Sequence, residues 1–285
     1  MDNFEEYRPL LFSIAYRMLG SAVDAEDIVQ DAYIRYQASS ADIRSPKAFL
    51  TTMVTRLCIN FLQSARVQRE QYLGPWLPEP IRTDTDTLSL IPNKRIEIHE
   101  TVSMAFLILL QHLTPAERAV FLLREVFDYS YREISEILEK EEAACRQLFS
   151  RARKHISDNK PRFSASDSKH RELLDKFMSV VQNGELAPLM DMLIEDAVMW
   201  TDGGGEATAA IYPIYGRENV ARFVMGSTRL LKEGYRVNIG QINDEPAVLI
   251  YQKEVVSLVI FVEVHGENIQ SIRVISNPNK LKNIS

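Results

Sequence analysis

Cysteine is scarce. Cys58 and Cys145 are the only two in 285 residues, and they form no CxxC, so neither a disulfide framework nor a zinc site is expected. Long apolar runs are missing too, with no stretch near the roughly 18 residues that span a bilayer. The opening MDNFEEYRPL has no basic segment followed by an apolar one, so no signal peptide is expected. Positive charge is also short. Lys and Arg number 33 against 39 Asp and Glu, a net charge of −6, with pI near 5.5. Such a chain does not grip nucleic acid by bulk electrostatics, although local basic faces stay open. No internal repeat or low-complexity tract is present. Together these absences lead us to expect a cytoplasmic protein with no membrane association and no cofactor.

Hydrophobic residues make up 46% of the chain and charged residues 25%. That is an ordinary globular composition, and the length suggests two domains. Residues 1–70 read as helices. Tyr7, Leu11, Ile14 and Met18 recur at helical spacing until Gly20. SAVDAEDIVQDAYIRYQ restarts a helix at Ser21, with Asp24 as capping-box partner. A third opens at Ser45 and Pro46. Residues 71–96 form a connector that begins QYLGPWLPEP, an odd linker with three prolines, a Trp and a Tyr. Residues 97–156 are helical again. Thr114 with Glu117 and Ser130 with Glu133 mark two helix starts, and a break at Lys140 and Glu141 precedes EAACRQLFSRARKHI. Two short helices, the second rich in Arg, make a helix-turn-helix pattern, although its turn lacks glycine. Residues 157–168 are a polar linker. From 169 to 285 helices give way to four Val- and Ile-rich runs between Tyr235 and Ser276. The expected fold is therefore multidomain: two all-α domains, then an α+β domain with a curved antiparallel sheet.

Three faces suggest chemistry. On the Arg-rich helix, Glu142, Arg146, Gln147, Ser150, Arg151 and Arg153 suit base edges and phosphates in a major groove; the alternative is a solvated basic helix. Asp27, Gln30 and Asp31, with Arg35, give the second helix an acidic side suited to a basic partner, or a plain amphipathic surface. Lys47, Arg56, Asn60 and Arg66, interleaved with Phe49 and Phe61, suit melted DNA, or a core helix with snorkelling basic residues.

These segments, in this order, resemble the bacterial extracytoplasmic-function (ECF) sigma factors. AEDIVQDAYIRYQ looks like the helix that docks on RNA polymerase, SPKAFLTTMVTRLCINFLQSAR like the reader of the −10 element, and LTPAERAVFLLREVFDYSYREISEILEKEEAACRQLFSRARKHI like the region 4 reader of the −35 element. Three further stretches, YLGPWLPEP, DGGG at Asp202, Gly203, Gly204 and Gly205, and NPNKL at Asn277, Pro278, Lys280 and Leu281, resemble signatures of the ECF41 or SigJ-like group. That group carries a C-terminal SnoaL-like domain of the NTF2-like fold. Glu206 stands where members often carry Lys or Arg, and Phe61 and Gln63 replace basic residues on the −10 helix, so promoter preference is expected to differ in detail.

The resemblance implies a sigma factor that directs core RNA polymerase to promoter DNA, with its fused domain acting in place of a separate anti-sigma factor. The odd connector then reads as a docking strip. Tyr72 and Trp76 would be anchors, and Pro75, Pro78 and Pro80 would hold the strip extended. The glycine turn would receive its backbone; the alternative is that Trp76 caps the first domain. Asp202, His265, Tyr212 and Tyr215 could instead supply an enzyme's acid, base and donors, and a stand-alone ligand-responsive regulator is a further reading. No catalytic residue is assigned. A monomer is expected outside polymerase. A dimer through the C-terminal domain and a small ligand in its pocket stay open.

Overall fold

The structure is a computed structural model and describes residues 4–39, 43–69, 72–83, 102–159, 167–230 and 234–284; the side chains of 65–69, 159, 167 and 230 are outside that description. It divides into two compact units, one of residues 1–70 and 85–160, the other of residues 71–84 and 161–285. The start of the connector thus belongs to the second unit. Its remainder, residues 84–96, lies outside the described residues.

The first unit is helical. It comprises α1 (Phe4–Leu19), α2 (Ala22–Gln37), α3 (Pro46–Arg69), α4 (Met104–Gln111), α5 (Pro115–Phe121), α6 (Tyr131–Leu138) and α7 (Glu142–Asn159). On α1, Leu11, Ile14 and Met18 are buried at the expected helical spacing. Gly20, at φ +70, bonds its N–H to Tyr16 O at 2.7 Å and ends the helix in the left-handed conformation glycine tolerates. Ser21 accepts the Asp24 N–H at 3.2 Å and caps α2. Thr114 with Glu117 and Ser130 with Glu133 form complete capping boxes on α5 and α6. A π-helical turn, Leu122–Val126, extends α5. The glycine missing from the helix-turn-helix turn is replaced by Glu139, which adopts φ +52 at the end of α6. A non-glycine residue bears a local cost of about 1–2 kcal/mol there.

The second unit has α8 (Asp167–Asn183), α9 (Leu186–Met192), β1 (Leu193–Asp202), β2 (Ile214–Tyr215), α10 (Arg217–Ser227), β3 (Tyr235–Ile242), β4 (Glu245–Gln252), β5 (Val255–His265), β6 (Asn268–Ile275) and α11 (Pro278–Leu281). The sheet order is β2-β1-β6-β5-β4-β3. β3 to β6 form the expected antiparallel meander. The sheet as a whole is mixed, because β1 pairs parallel to β6. A long excursion through β2, α10 and the meander separates these two strands, and such a crossover permits parallel pairing. Asn243 and Asp244, at φ +54 and +55, make the tight β3–β4 turn. Register shifts in β1, β4 and β5 bend the sheet. Leu174, Phe177, Val220, Val224, Val262 and Ile272 pack between its concave face and the helices. This is the expected α+β arrangement, with a mixed rather than purely antiparallel sheet.

Ser130 sets up a pH test. Hydrogen bonds from its hydroxyl and backbone hold Glu133 below the ordinary 4.5. A folded value below the unfolded one adds stability that is complete above the unfolded value and is lost as pH falls through the folded one. Ser130→Ala should therefore lower stability by about 1 kcal/mol at pH 7, with a smaller loss at pH values where Glu133 is protonated. Melting curves of both chains across that range measure the difference. A loss that grows on acidification contradicts this account.

Candidate functional site

In the first unit, Asp27 and Gln30 on α2 are exposed. Arg35 is tied to Asp31 at 2.9 Å. The same stripe holds two residues that sequence reasoning missed, Val23 and Ile34, which are 46% and 59% exposed. Positions 23, 27, 30 and 34 follow helical spacing, so an acidic centre lies between apolar flanks. Exposed apolar residues at core spacing were the available signal.

The basic candidates are mostly partnered. On α3, Arg56 donates to the carbonyls of Ile137 at 2.8 Å and Glu136 at 3.1 Å and pairs with Glu139 at 2.8 Å. Its guanidinium thus satisfies the orphan carbonyls at the end of α6. Nearby, Thr51 Oγ1 and Tyr129 OH are 3.0 Å apart, and Lys47 Nζ lies 6.0 Å from the Tyr129 ring centre. Asn60 is exposed, and the Arg66 side chain lies outside the described residues. On α7, Arg146 pairs with Glu142 at 3.0 Å and stacks over Tyr131 at 4.4 Å. Arg151 pairs with Glu117 at 3.0 Å. Gln147, Ser150 and Arg153 are exposed, while Cys145 and Ala152 face inward.

The second unit holds a buried clasp around Asp202, whose exposure is 0%. Its Oδ1 accepts from Tyr72 OH at 2.5 Å. Its Oδ2 accepts from the Leu77 N–H at 2.8 Å and from Lys280 Nζ at 2.7 Å. Lys280 is buried too; it also donates to Leu77 O and lies 4.0 Å from the Trp76 ring centre. Asn277 donates from Nδ2 to Tyr72 OH at 2.8 Å, while its Oδ1 caps α11 by accepting the Asn279 N–H at 2.9 Å. Burial pushes the Tyr72 hydroxyl well above the ordinary tyrosine range, and the Asp202 bond and charge add to this. The phenol therefore stays a donor. Leu77 and Pro78 are buried, and Pro75 and Trp76 partly so. Pro278 and Leu281 begin and end α11, and Leu281 is 2% exposed.

The strap formed by residues 72–83 is held at its far end as well. Ile81 donates to Asn243 Oδ1 at 3.0 Å and accepts the Asn243 N–H at 2.9 Å. Arg82 makes a β-bridge with Ile242. The glycine turn serves differently from expectation, because the strap approaches Gly204 and Gly205 with side chains, while Gly203 is met by the loop's own Ala207 carbonyl. A Cβ on Gly204, at φ +59, would meet the Asn277 amide and lie 2.9 Å from Tyr72 OH. A Cβ on Gly203 would lie 2.8 Å from the Ala209 Cβ, and one on Gly205 would lie 3.5 Å from Leu73.

The Asp202 and His265 pair does not form. Asp202 is opposite Ile275 on β6, and His265 is opposite Asn268. Those partners are seven positions apart along the strand, which is about 23 Å at ~3.3 Å per residue. Tyr212 and Tyr215 are 80% and 64% exposed. Between helices and sheet lies a cavity of about 920 Å³. Among the described residues, no cluster of His, Cys, Asp and Glu could hold a metal. Cys58 and Cys145 are free and buried. No described helix is long and apolar enough to cross a membrane.

Removing one partner of a buried ion pair strands the other charge. Lys280→Met should loosen the clasp by about 3–5 kcal/mol, read as faster hydrogen exchange of the Leu77 amide. Adding Asp202→Asn should recover part of that loss. If the double variant exchanges faster than Lys280→Met alone, the pair is not what holds the strap.

Comparison with known proteins places these features. Residues 4–67 match the sigma-70 region 2 family and residues 103–156 match sigma-70 region 4. The chain is 37% identical over 227 residues to the ECF RNA polymerase sigma factor SigJ of Mycobacterium tuberculosis, covering 79% of this chain and 72% of that one. It is 29% identical over 279 residues to the probable ECF RNA polymerase sigma factor SigI of the same species, covering 96% and 92%. The crystal structure of M. tuberculosis SigJ superposes with a TM-score of 0.76 at 30% identity, covering 99% of this chain and 98% of that one. With both sigma regions present and this likeness running through the second unit, the chain belongs to the extracytoplasmic-function sigma factors of RNA polymerase.

Proposed function

We propose that this sigma factor is governed by its own second unit, which holds the connector between region 2 and region 4 through the Asp202 clasp. The observation that carries this reading is the buried carboxylate. It draws two donors from the strap and a third from the chain's last helix. Region 2 ends before the strap in sequence and region 4 begins after it. Strap docking therefore fixes part of the tether that the two regions share. The anchors are large and partly buried, and the prolines limit the entropy lost on docking.

Core polymerase docks on the α2 stripe of Val23, Asp27, Gln30 and Ile34. Lys47, Arg56, Asn60 and Arg66 face the −10 element. Glu142, Arg146, Gln147, Ser150, Arg151 and Arg153 face the −35 element. Arg56, Arg146 and Arg151 exchange their carboxylate and carbonyl partners for DNA when the holoenzyme forms. The chain works in the cytoplasm with polymerase, which performs the chemistry. A non-enzymatic role for the second unit is supported by its cavity, whose described lining has no carboxylate or imidazole.

Run-off transcription with purified core polymerase on a candidate promoter tests this. The full chain, Trp76→Ala and a chain ending after Ser276 are compared. The full chain should initiate, and both alterations should change its rate in the same direction. Failure of every form removes the sigma reading, whereas three equal rates remove only regulation by the clasp. Asp27→Arg should weaken core binding by roughly tenfold, the effect of reversing one charge at an interface. Ile34→Glu should do the same by placing a charge in an apolar contact. Titration of labelled core polymerase reads both, and unchanged affinities would move the docking face off α2.

A further inference from the structure

We propose that the cavity of the second unit binds an uncharged, largely apolar small molecule and that its occupancy tightens the clasp on the strap. This rests on the reading that strap docking governs the sigma factor.

The ligand class follows from the walls. About 920 Å³ suits a drug-sized molecule. Met199, Ile250, Leu258, Ile260 and Ile272 supply apolar surface from the sheet, and Phe223 supplies it from α10. Among the described lining residues only Arg222 carries a full charge. Arg222 is exposed and already paired with Glu218 at 2.6 Å. A charged ligand would lose its hydration and find no free counter-charge among the described lining residues. The polar lining groups include Thr201, Gln252 and Ser257, enough to orient one or two neutral donors or acceptors.

The coupling follows from a shared wall. Thr201 lines the cavity, and its neighbour Asp202 holds the strap. Ser276 lines the cavity, and its neighbour Asn277 bonds Tyr72. Both neighbours are joined, since the N–H groups of Ser276 and Asn277 bond Asp202 O at 2.8 and 3.0 Å. The loop after Asp202 repeats the arrangement. Thr208, Ala209 and Ala210 face the cavity, while Gly204 lies under Tyr72 and Asn277. Thr201 Oγ1 grips the end of that loop, accepting the Ala210 N–H at 2.7 Å and donating to Ala210 O at 3.1 Å. A Cβ on Gly203 would meet the Ala207 carbonyl and the Ala209 Cβ, so this glycine packs directly against the loop segment that faces the cavity. Any shift of the cavity wall therefore reaches the clasp. Apolar wall side chains gain packing partners when an apolar molecule enters. A ligand supplies them and favours the wall position that coexists with the docked strap. The coupling is reciprocal.

The test uses the full chain and two probes with one scaffold. N-phenyl-1-naphthylamine is uncharged and fluoresces in apolar surroundings; 8-anilino-1-naphthalenesulfonate adds a sulfonate. The neutral probe should bind saturably, and the sulfonate about tenfold more weakly or worse. Ile260→Trp should abolish binding. If that chain melts early, Leu258→Phe fills less volume in the same cavity and should weaken binding. At saturation the neutral probe should slow hydrogen exchange at the Leu77 and Ile81 amides about fivefold or more. Absent binding, equal binding of both probes, binding indifferent to both filling variants, or unchanged or faster exchange each overturn the proposal. None of these readings uses polymerase. A chain that passes here but fails run-off transcription loses the proposed function alone, and one that initiates but fails here loses this inference alone.

Discussion

An ionised carboxylate with no solvent exposure is tolerable only if its charge and lone pairs are met from within. Asp202 is such a group, and the second unit is organised around meeting that need. Its donors come from segments far apart in the chain, with Tyr72 lying 130 positions before it and Lys280 lying 78 after it. Neither can be lost without leaving a buried charge or dipole uncompensated. The constraint also accounts for the odd composition of the strap. Prolines keep it extended, and Gly204 and Gly205 leave space for Tyr72 and Leu73. The two rings flank one ammonium, with Lys280 Nζ 5.2 Å from the Tyr72 ring centre and 4.0 Å from that of Trp76, an arrangement that offsets some of the lysine's lost hydration.

The first unit meets its charges in a different way. Arg56, Arg146 and Arg151 are satisfied by Glu139, Glu142 and Glu117 and by helix-end carbonyls. These ion pairs are largely exposed, so each contributes little to stability and can be exchanged at small cost. The burial around Asp202 makes its contacts far harder to exchange. A chain with net charge −6 in which Arg56, Arg146 and Arg151 are already partnered is expected to have weak unaided affinity for DNA. Dependence on polymerase is the expected consequence, and control of the connector is an economical place for a regulator to act.

Much of this was legible in the sequence because local rules operate where they were read. Capping boxes at Thr114 and Ser130 and the stop at Gly20 depend on neighbours within four positions, and the alternation of β3 to β6 depends on hairpin partners. The parallel pairing of β1 with β6 is a long-range outcome that no local period records. The helix-turn-helix turn was obscure because Glu139 takes a conformation usually left to glycine. Motif likeness brought Tyr72, Asp202, Asn277 and Lys280 under one heading without chemistry. Only the fold shows that one carboxylate joins them and that Gly204 and Gly205 make way for strap side chains rather than strap backbone. The tempting acid–base pair of Asp202 and His265 had no such geometry behind it, since sequence says nothing about which ends of a sheet two strand residues occupy.

The pleat of a strand sends neighbouring side chains to opposite sides. At the end of β1 this places Thr201 toward the cavity and Asp202 toward the strap. Just past β6, Ser276 and Asn277 divide in the same way. Two adjacent parallel strands thus end in matched pairs, tied to each other through Asp202 O. A domain of this kind needs no hinge or mobile lid to connect its interior with its exterior. The rigid end of the sheet is already in contact with both, and a change in packing on one side alters the hydrogen-bond geometry on the other. Regulation can then evolve by changing the cavity lining alone, leaving the clasp and the sigma regions untouched.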